Sequence, residues 1–96
     1  MADEKPAGAI RLDGHHRQTL EKIFAHPTSH NIQWHDVLSL LGHVGTLKEH
    51  HDGKYVVTIG DQTESLDPAR QHDVDIRYVV DLRRMMASVG ITPETV

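Results

Sequence analysis

The histidines are the residues of this chain that offer the most chemistry. Nine of them stand among 96 residues, and cysteine is absent. Imidazole changes its charge between pH 5 and 8 and can accept a proton, donate one or bind a metal ion. His50 and His51 adjoin each other close to Lys54. This group could hold an RNA phosphate while one imidazole takes the proton of a 2′-hydroxyl, which begins metal-free RNA cleavage. An exposed polar turn without a role is the competing interpretation.

The spacing of the other histidines does not predict a metal site. A zinc site takes about four converging ligands, which without cysteine would come from His, Asp or Glu. His26 and His30 are four residues apart, but Pro27 interrupts the helix that would place them on one face. Phosphate-binding glycine loops are absent from the sequence as well. We therefore predict no metal and no other cofactor.

Composition excludes several classes of protein. A formal net charge of −4 does not indicate a nucleic-acid-binding protein, because a dedicated phosphate-binding surface usually shows a basic excess, and no DNA binding is predicted. Aromatic residues make up 4% of the chain, so a platform of rings that stacks several bases is not expected. Apolar runs stay far below the roughly 18 residues of a membrane span, and no signal-peptide pattern is present. We expect a soluble, cytoplasmic protein without membrane contact.

The candidate histidines lie beside a stretch that reads as β-sheet. β-Branched residues and tyrosine cluster from Tyr55 to Ile59 between the turn signals at residues 52–53 and 60–61. A two-residue turn at the first site would place Lys48 on the apolar face, whereas a three-residue loop over 51–53 pairs Leu47 with Val57. We predict the three-residue loop, and a meander with one apolar face.

Two helices are predicted to precede the sheet. The first begins after Asp13, a good N-cap, and ends before Pro27. The second is expected from residue 32 or 33 to Leu41, with Asn31 as its N-cap and Gly42 as its C′ residue.

A third helix is predicted to follow the sheet. Asp73 or Asp75 is expected to cap it, and it should extend to about Val89. Gly90 followed by Ile91 is typical of a Schellman cap with its apolar contact.

The resulting order is α-α-β-β-β-α. This predicts an α+β fold, a three-stranded antiparallel meander with helices packed on one face. A single domain is expected over residues 13–91, with a flexible N-terminal tail over 1–12 and a C-terminal tail over 92–96.

Several features of residues 33–91 are shared with a known family. They are the Leu-Leu-Gly end of the second helix at residues 40–42, the strands around a glycine-centred turn, and the closing helix DLRRMMASVGI at residues 81–91. In these features about 60% of the chain resembles the HicA family of toxin–antitoxin mRNA interferases. The resemblance implies a fold like a double-stranded-RNA-binding domain, a metal-independent endoribonuclease activity and a protein antitoxin as partner.

The resemblance also implies where the site lies. The family's Gly-Ser-His signature falls on Gly53, Lys54 and Tyr55, so that Tyr55 occupies the position of the family's histidine. A histidine after the third strand corresponds to His72. The expected catalytic residues are His50, His51 and Tyr55, and the expected RNA-binding residues are Lys54, Arg70 and His72.

Two functions follow as expectations. The first is a small HicA-like protein that binds RNA as a divergent or inactive ribonuclease. The second is a non-catalytic module that binds a protein, or a second copy of itself, through the open sheet face or the methionine-bearing last helix.

Interleaved charges near the last helix fit either a polyanion site or a solvated, salt-bridged face. They are Arg70, Arg77, Arg83 and Arg84 with Asp67, Asp73, Asp75 and Asp81.

Overall fold

The computed structural model describes residues 12–28, 31–68 and 71–95. In chain order the elements are α1 (Gly14–Ile23), α2 (Trp34–Val44), β1 (Thr46–Glu49), β2 (Tyr55–Ile59), β3 (Gln62–Leu66) and α3 (Ile76–Ser88). This α-α-β-β-β-α order confirms the predicted α+β fold. Most of the expected N-terminal tail, together with His30 and Arg70, lies outside the described residues.

The sheet has the predicted register. Its strands are antiparallel in the order β1-β2-β3. Leu47 pairs with Val57, and Tyr55 pairs with Leu66. Because side chains alternate between the faces of a strand, this register places Leu47, Tyr55 and Leu66 on one side of the sheet. That side is the inner face, which the helices cover.

Hydrogen bonds at the first turn confirm the three-residue loop. The His50 backbone N–H donates to the Lys54 carbonyl oxygen at 2.8 Å, and the Gly53 N–H donates to the His50 carbonyl oxygen at 3.0 Å. Gly53 has a φ of 87°, in the left-handed region that glycine enters without steric cost. The hairpin therefore ends in a turn formed by residues 51–53, and the outward-facing side chains on either side of it are in register.

The core lies between the inner face of the sheet and the three helices. Its fully buried side chains come from all the helices and from β2 and β3, and include Leu20, Val37, Val57, Leu66 and Val79. Within the described residues, none of the helices is both long and apolar enough to cross a membrane.

The ends of α1 and α3 confirm the predicted caps. The Asp13 carboxylate accepts the backbone N–H of His16 at 2.9 Å, and the Asp75 carboxylate accepts that of Arg77 at 2.8 Å. At the end of α3 the Ile91 N–H donates to the Met86 carbonyl oxygen at 2.8 Å. Gly90 between them has a φ of 83°. These caps satisfy backbone groups that have no partner within the helix.

The predicted ends of α2 are wrong at both termini. Gln33, not Asn31, is the N-cap, and it provides no side-chain hydrogen bond. The first helical N–H, that of Trp34, donates instead to the carbonyl oxygen of His72 at 2.8 Å. At the other end Gly42 lies within the helix and Gly45 is the C-cap. A tertiary backbone contact thus replaces the local cap that the sequence suggested.

One of the arginines that could have contributed to a polyanion site stabilises the junction of α1 and α3. The Arg83 Nε donates to the Ile23 carbonyl oxygen at 2.9 Å, and Nη2 donates to the Thr28 hydroxyl at 3.1 Å. Ile23 is the last residue of α1, where carbonyl oxygens lack partners within the helix. The guanidinium of Arg83 therefore has a structural role, because it holds the end of α1 and the following loop against α3.

Candidate functional site

The predicted catalytic residues divide between the two faces of the sheet. His50 and Lys54 face each other across the hairpin, and both are exposed. Tyr55 is half-buried and pairs with Glu49 and Leu66, which places it on the inner face. The structure therefore brings His50 to Lys54 but separates both of them from Tyr55.

The third predicted catalytic residue, His51, lies in the turn and is exposed. Its position at the tip of the hairpin leaves it accessible beside both faces. Neither His50 nor His51 lines the cleft that opens next to the hairpin.

His72, predicted to bind RNA, is exposed. The chain reaches it soon after Pro68, which lines a cleft together with Gly53 of the turn. In the described ranges no hydrogen bond joins the His72 imidazole to the hairpin, and its carbonyl oxygen is the acceptor for Trp34. Arg70, the remaining predicted residue, lies outside the described residues.

The outer face of the sheet carries cations and hydroxyl groups. We call it the open sheet face; its members on the strands are Thr46, Lys48, Val56, Thr58, Thr63 and Ser65, and His50 and Lys54 extend it towards the turn. None of these outward-facing residues is acidic, although the whole chain has a net charge of −4. The Thr58 and Thr63 hydroxyl oxygens lie 3.4 Å apart. The face is thus a flat surface of hydrogen-bond donors with a positive charge.

Carboxylates gather on the other side of the same hairpin. A cleft of about 430 Å³, which we call the hairpin cleft, is lined by Leu38, Glu49, Asp52, Gly53, Tyr55, Asp67 and Pro68. The sequence analysis missed this feature, because its members come from α2, the hairpin and the end of β3. The predicted register did pair Glu49 with Tyr55, and this pairing was the one sequence signal that placed two residues of the cleft side by side. The hairpin therefore separates a basic surface from an acidic cleft.

The histidines of α1 connect that helix to α2. The His15 Nε2 lies 3.0 Å from the Asp36 carboxylate, and the His16 Nε2 lies 2.9 Å from the Ser39 hydroxyl. The His16 ring also stacks on that of His43, with centroids 4.9 Å apart. Across the described ranges no three His, Asp or Glu side chains converge in a way that could hold a metal ion. These histidines form an interhelical contact that their spacing in the sequence did not reveal.

The pKa values of the two capping aspartates are lowered. The backbone hydrogen bond from His16 lowers the pKa of Asp13, and the corresponding bond from Arg77 lowers that of Asp75. Both effects are explained by N-capping, since a hydrogen bond to the ionised carboxylate favours the charged form.

Comparison with protein-family models, curated proteins and solved structures found no match for this chain. Function is therefore argued from the geometry of the two surfaces of the hairpin.

Proposed function

We propose that this protein binds RNA through the open sheet face, as a divergent relative of the HicA-like mRNA interferases that its sequence resembles. One observation carries the proposal. In an acidic chain, the outward-facing positions of the three strands, together with His50 and Lys54 beside the turn, contain two lysines, one histidine, several hydroxyl groups and no carboxylate. Lysine and hydroxyl side chains are the groups that usually contact phosphate and sugar oxygens in nucleic-acid complexes.

Contacts of this kind favour binding without sequence preference. Lys48 lies opposite Val56 across the ladder, and Lys54 lies two residues before Val56 on the neighbouring chain segment. Diagonal neighbours of this kind are about 7–8 Å apart, so both ammonium groups can contact one strand of nucleic acid. The face presents no phenylalanine, tyrosine or tryptophan ring for base stacking, so the phosphates supply most of the binding energy.

The same surface is consistent with a role for His50 and Lys54 in RNA cleavage. His50 is exposed beside Lys54, where its imidazole can take a proton from a 2′-hydroxyl while the lysine holds the phosphate. Tyr55 takes no part in this step, because its side chain is on the inner face. His50→Ala should therefore abolish any cleavage, and Tyr55→Phe should leave it unchanged.

The test is RNA binding as a function of salt, measured by gel mobility in EDTA with labelled single-stranded and duplex RNA. Each phosphate contact on a single strand contributes a slope of about −0.7 to the plot of log affinity against log salt. Two lysines give about −1.4, so affinity should fall about sevenfold between 50 and 200 mM salt.

The Lys48→Gln/Lys54→Gln variant should bind weakly and lose most of this salt dependence. Lys22→Gln is the control, because Lys22 is an exposed cation on α1, away from the sheet. Equal retardation of RNA by the double variant and the control would overturn the proposal. Shortened RNA in the same gel would show that cleavage accompanies binding.

A further inference from the structure

The hairpin cleft combines apolar walls with an acidic rim. Leu38, Tyr55 and Pro68 are each half-buried, and they leave part of their apolar surface facing the cleft. Glu49 and Asp67 are exposed beside them. The volume of about 430 Å³ falls within the range of clefts that accept a ligand side chain or a small molecule.

Within the described residues, no cationic side chain neutralises these carboxylates. No lysine, arginine or histidine in the described ranges forms an ion pair with Glu49, Asp52 or Asp67. The Lys54 backbone N–H donates to the Asp52 carboxylate at 3.2 Å. Among the described residues, the carboxylates of Glu49 and Asp67 therefore have no cationic partner.

We propose that the hairpin cleft binds an arginine side chain presented by a second protein. The aliphatic part of an arginine would cover Leu38, Tyr55 and Pro68, and the guanidinium would meet the carboxylates of the rim. Arginine fits better than lysine, because its planar group donates several hydrogen bonds to carboxylates at once and packs against aromatic rings. Arginine is also among the residues that most often anchor protein interfaces.

The charge of the hairpin cleft disfavours RNA, the other ligand proposed for this protein. RNA phosphates would be repelled by three carboxylates, and they find the opposite charge on the open sheet face. The two ligands would therefore occupy opposite sides of one hairpin. The inference goes beyond RNA binding and does not depend on it.

The test is a titration of the ¹⁵N-labelled full chain followed by NMR, with the peptide acetyl-Gly-Arg-Gly-amide as the probe. Amide signals of Gly53, Tyr55 and Asp67 should move, and those of the open sheet face should stay in place. The peptide with citrulline in place of arginine keeps the shape and loses the charge, and it should bind at least fivefold more weakly.

The Glu49→Gln/Asp67→Asn variant should also weaken binding of the arginine peptide at least fivefold. Asp61→Asn is the matched control: Asp61 is an exposed carboxylate in the other turn of the sheet, and its removal should change nothing. Equal binding of the citrulline peptide, undiminished binding by the double variant, or shifts spread over the whole surface would each overturn the proposal. The spectrum of each variant also shows directly that it is folded.

Discussion

Two glycines at the end of α2 should respond to alanine in opposite directions. Gly42 lies within the helix and is exposed, and a Cβ built on it meets no heavy atom within 4 Å. Gly45 ends the helix beside β2. A Cβ there would overlap the Thr58 carbonyl oxygen and lie 2.7 Å from the Ile59 Cγ1. The first site has room for a methyl group, and the second does not.

The size of each effect follows from these surroundings. Alanine is more favourable than glycine inside a helix by about 0.5–1 kcal/mol, so Gly42→Ala should raise the free energy of unfolding by that amount. Gly45 has a φ of −151°, which is extended backbone open to any residue, so the cost of Gly45→Ala is steric. Forcing an extra methyl into a packed site costs about 1–3 kcal/mol.

Urea unfolding, followed by helical circular dichroism and by Trp34 fluorescence, measures both changes. With a slope of about 1 kcal/mol per M for a small domain, the Gly42→Ala midpoint should rise by about 0.5–1 M. The Gly45→Ala midpoint should fall by about 1–3 M. A Gly42→Ala variant less stable than the wild type would show that Gly42 ends the helix after all. A Gly45→Ala variant of unchanged stability would refute the close approach of α2 to β2.

Three further substitutions test contacts that hold the helices. Arg83→Met should lower the free energy of unfolding by about 1–3 kcal/mol in the same urea assay, because it leaves the Ile23 carbonyl oxygen without its donor. Gly90→Ala should lower it by about 1–2 kcal/mol, since the φ of 83° is strained for any residue with a Cβ. Asp75→Ala should lower the urea midpoint at pH 7, and the difference from the wild type should shrink below about pH 4. The pKa of Asp75 is lowered in the folded state, so its stabilisation is present above the unfolded pKa and is lost as pH falls through the folded one. A difference that persisted at pH 2 would contradict this capping role.

The sequence by itself determined the order and type of the elements, and the register of the sheet. Turn residues and alternation are local signals, and a single position such as Lys48 was enough to choose the three-residue loop over the two-residue one. Caps that use a residue's own neighbours, such as those of Asp13 and Asp75, were predicted for the same reason.

Features that join distant parts of the chain were decided only by the tertiary structure. The start of α2 depends on a carbonyl oxygen at His72, and its end depends on how closely Gly45 can approach β2. The hydrogen bond from Arg83 on α3 to the Ile23 carbonyl oxygen at the end of α1 likewise joins distant parts of the chain. No local pattern specifies such contacts, because each is formed by groups that only the packing of the core brings together.

The two surfaces of the hairpin show the same division between sequence and structure. The sequence placed His50, Lys54 and Tyr55 close together along the chain, and it predicted one site. Alternation along the strands sends Tyr55 to the face opposite His50 and Lys54, and folding adds Leu38 and Asp67 from other elements to the side that Tyr55 occupies. Strand alternation, which follows from the predicted register, separates Tyr55 from His50 and Lys54, whereas only the packing of α2 and the end of β3 against the hairpin completes the cleft.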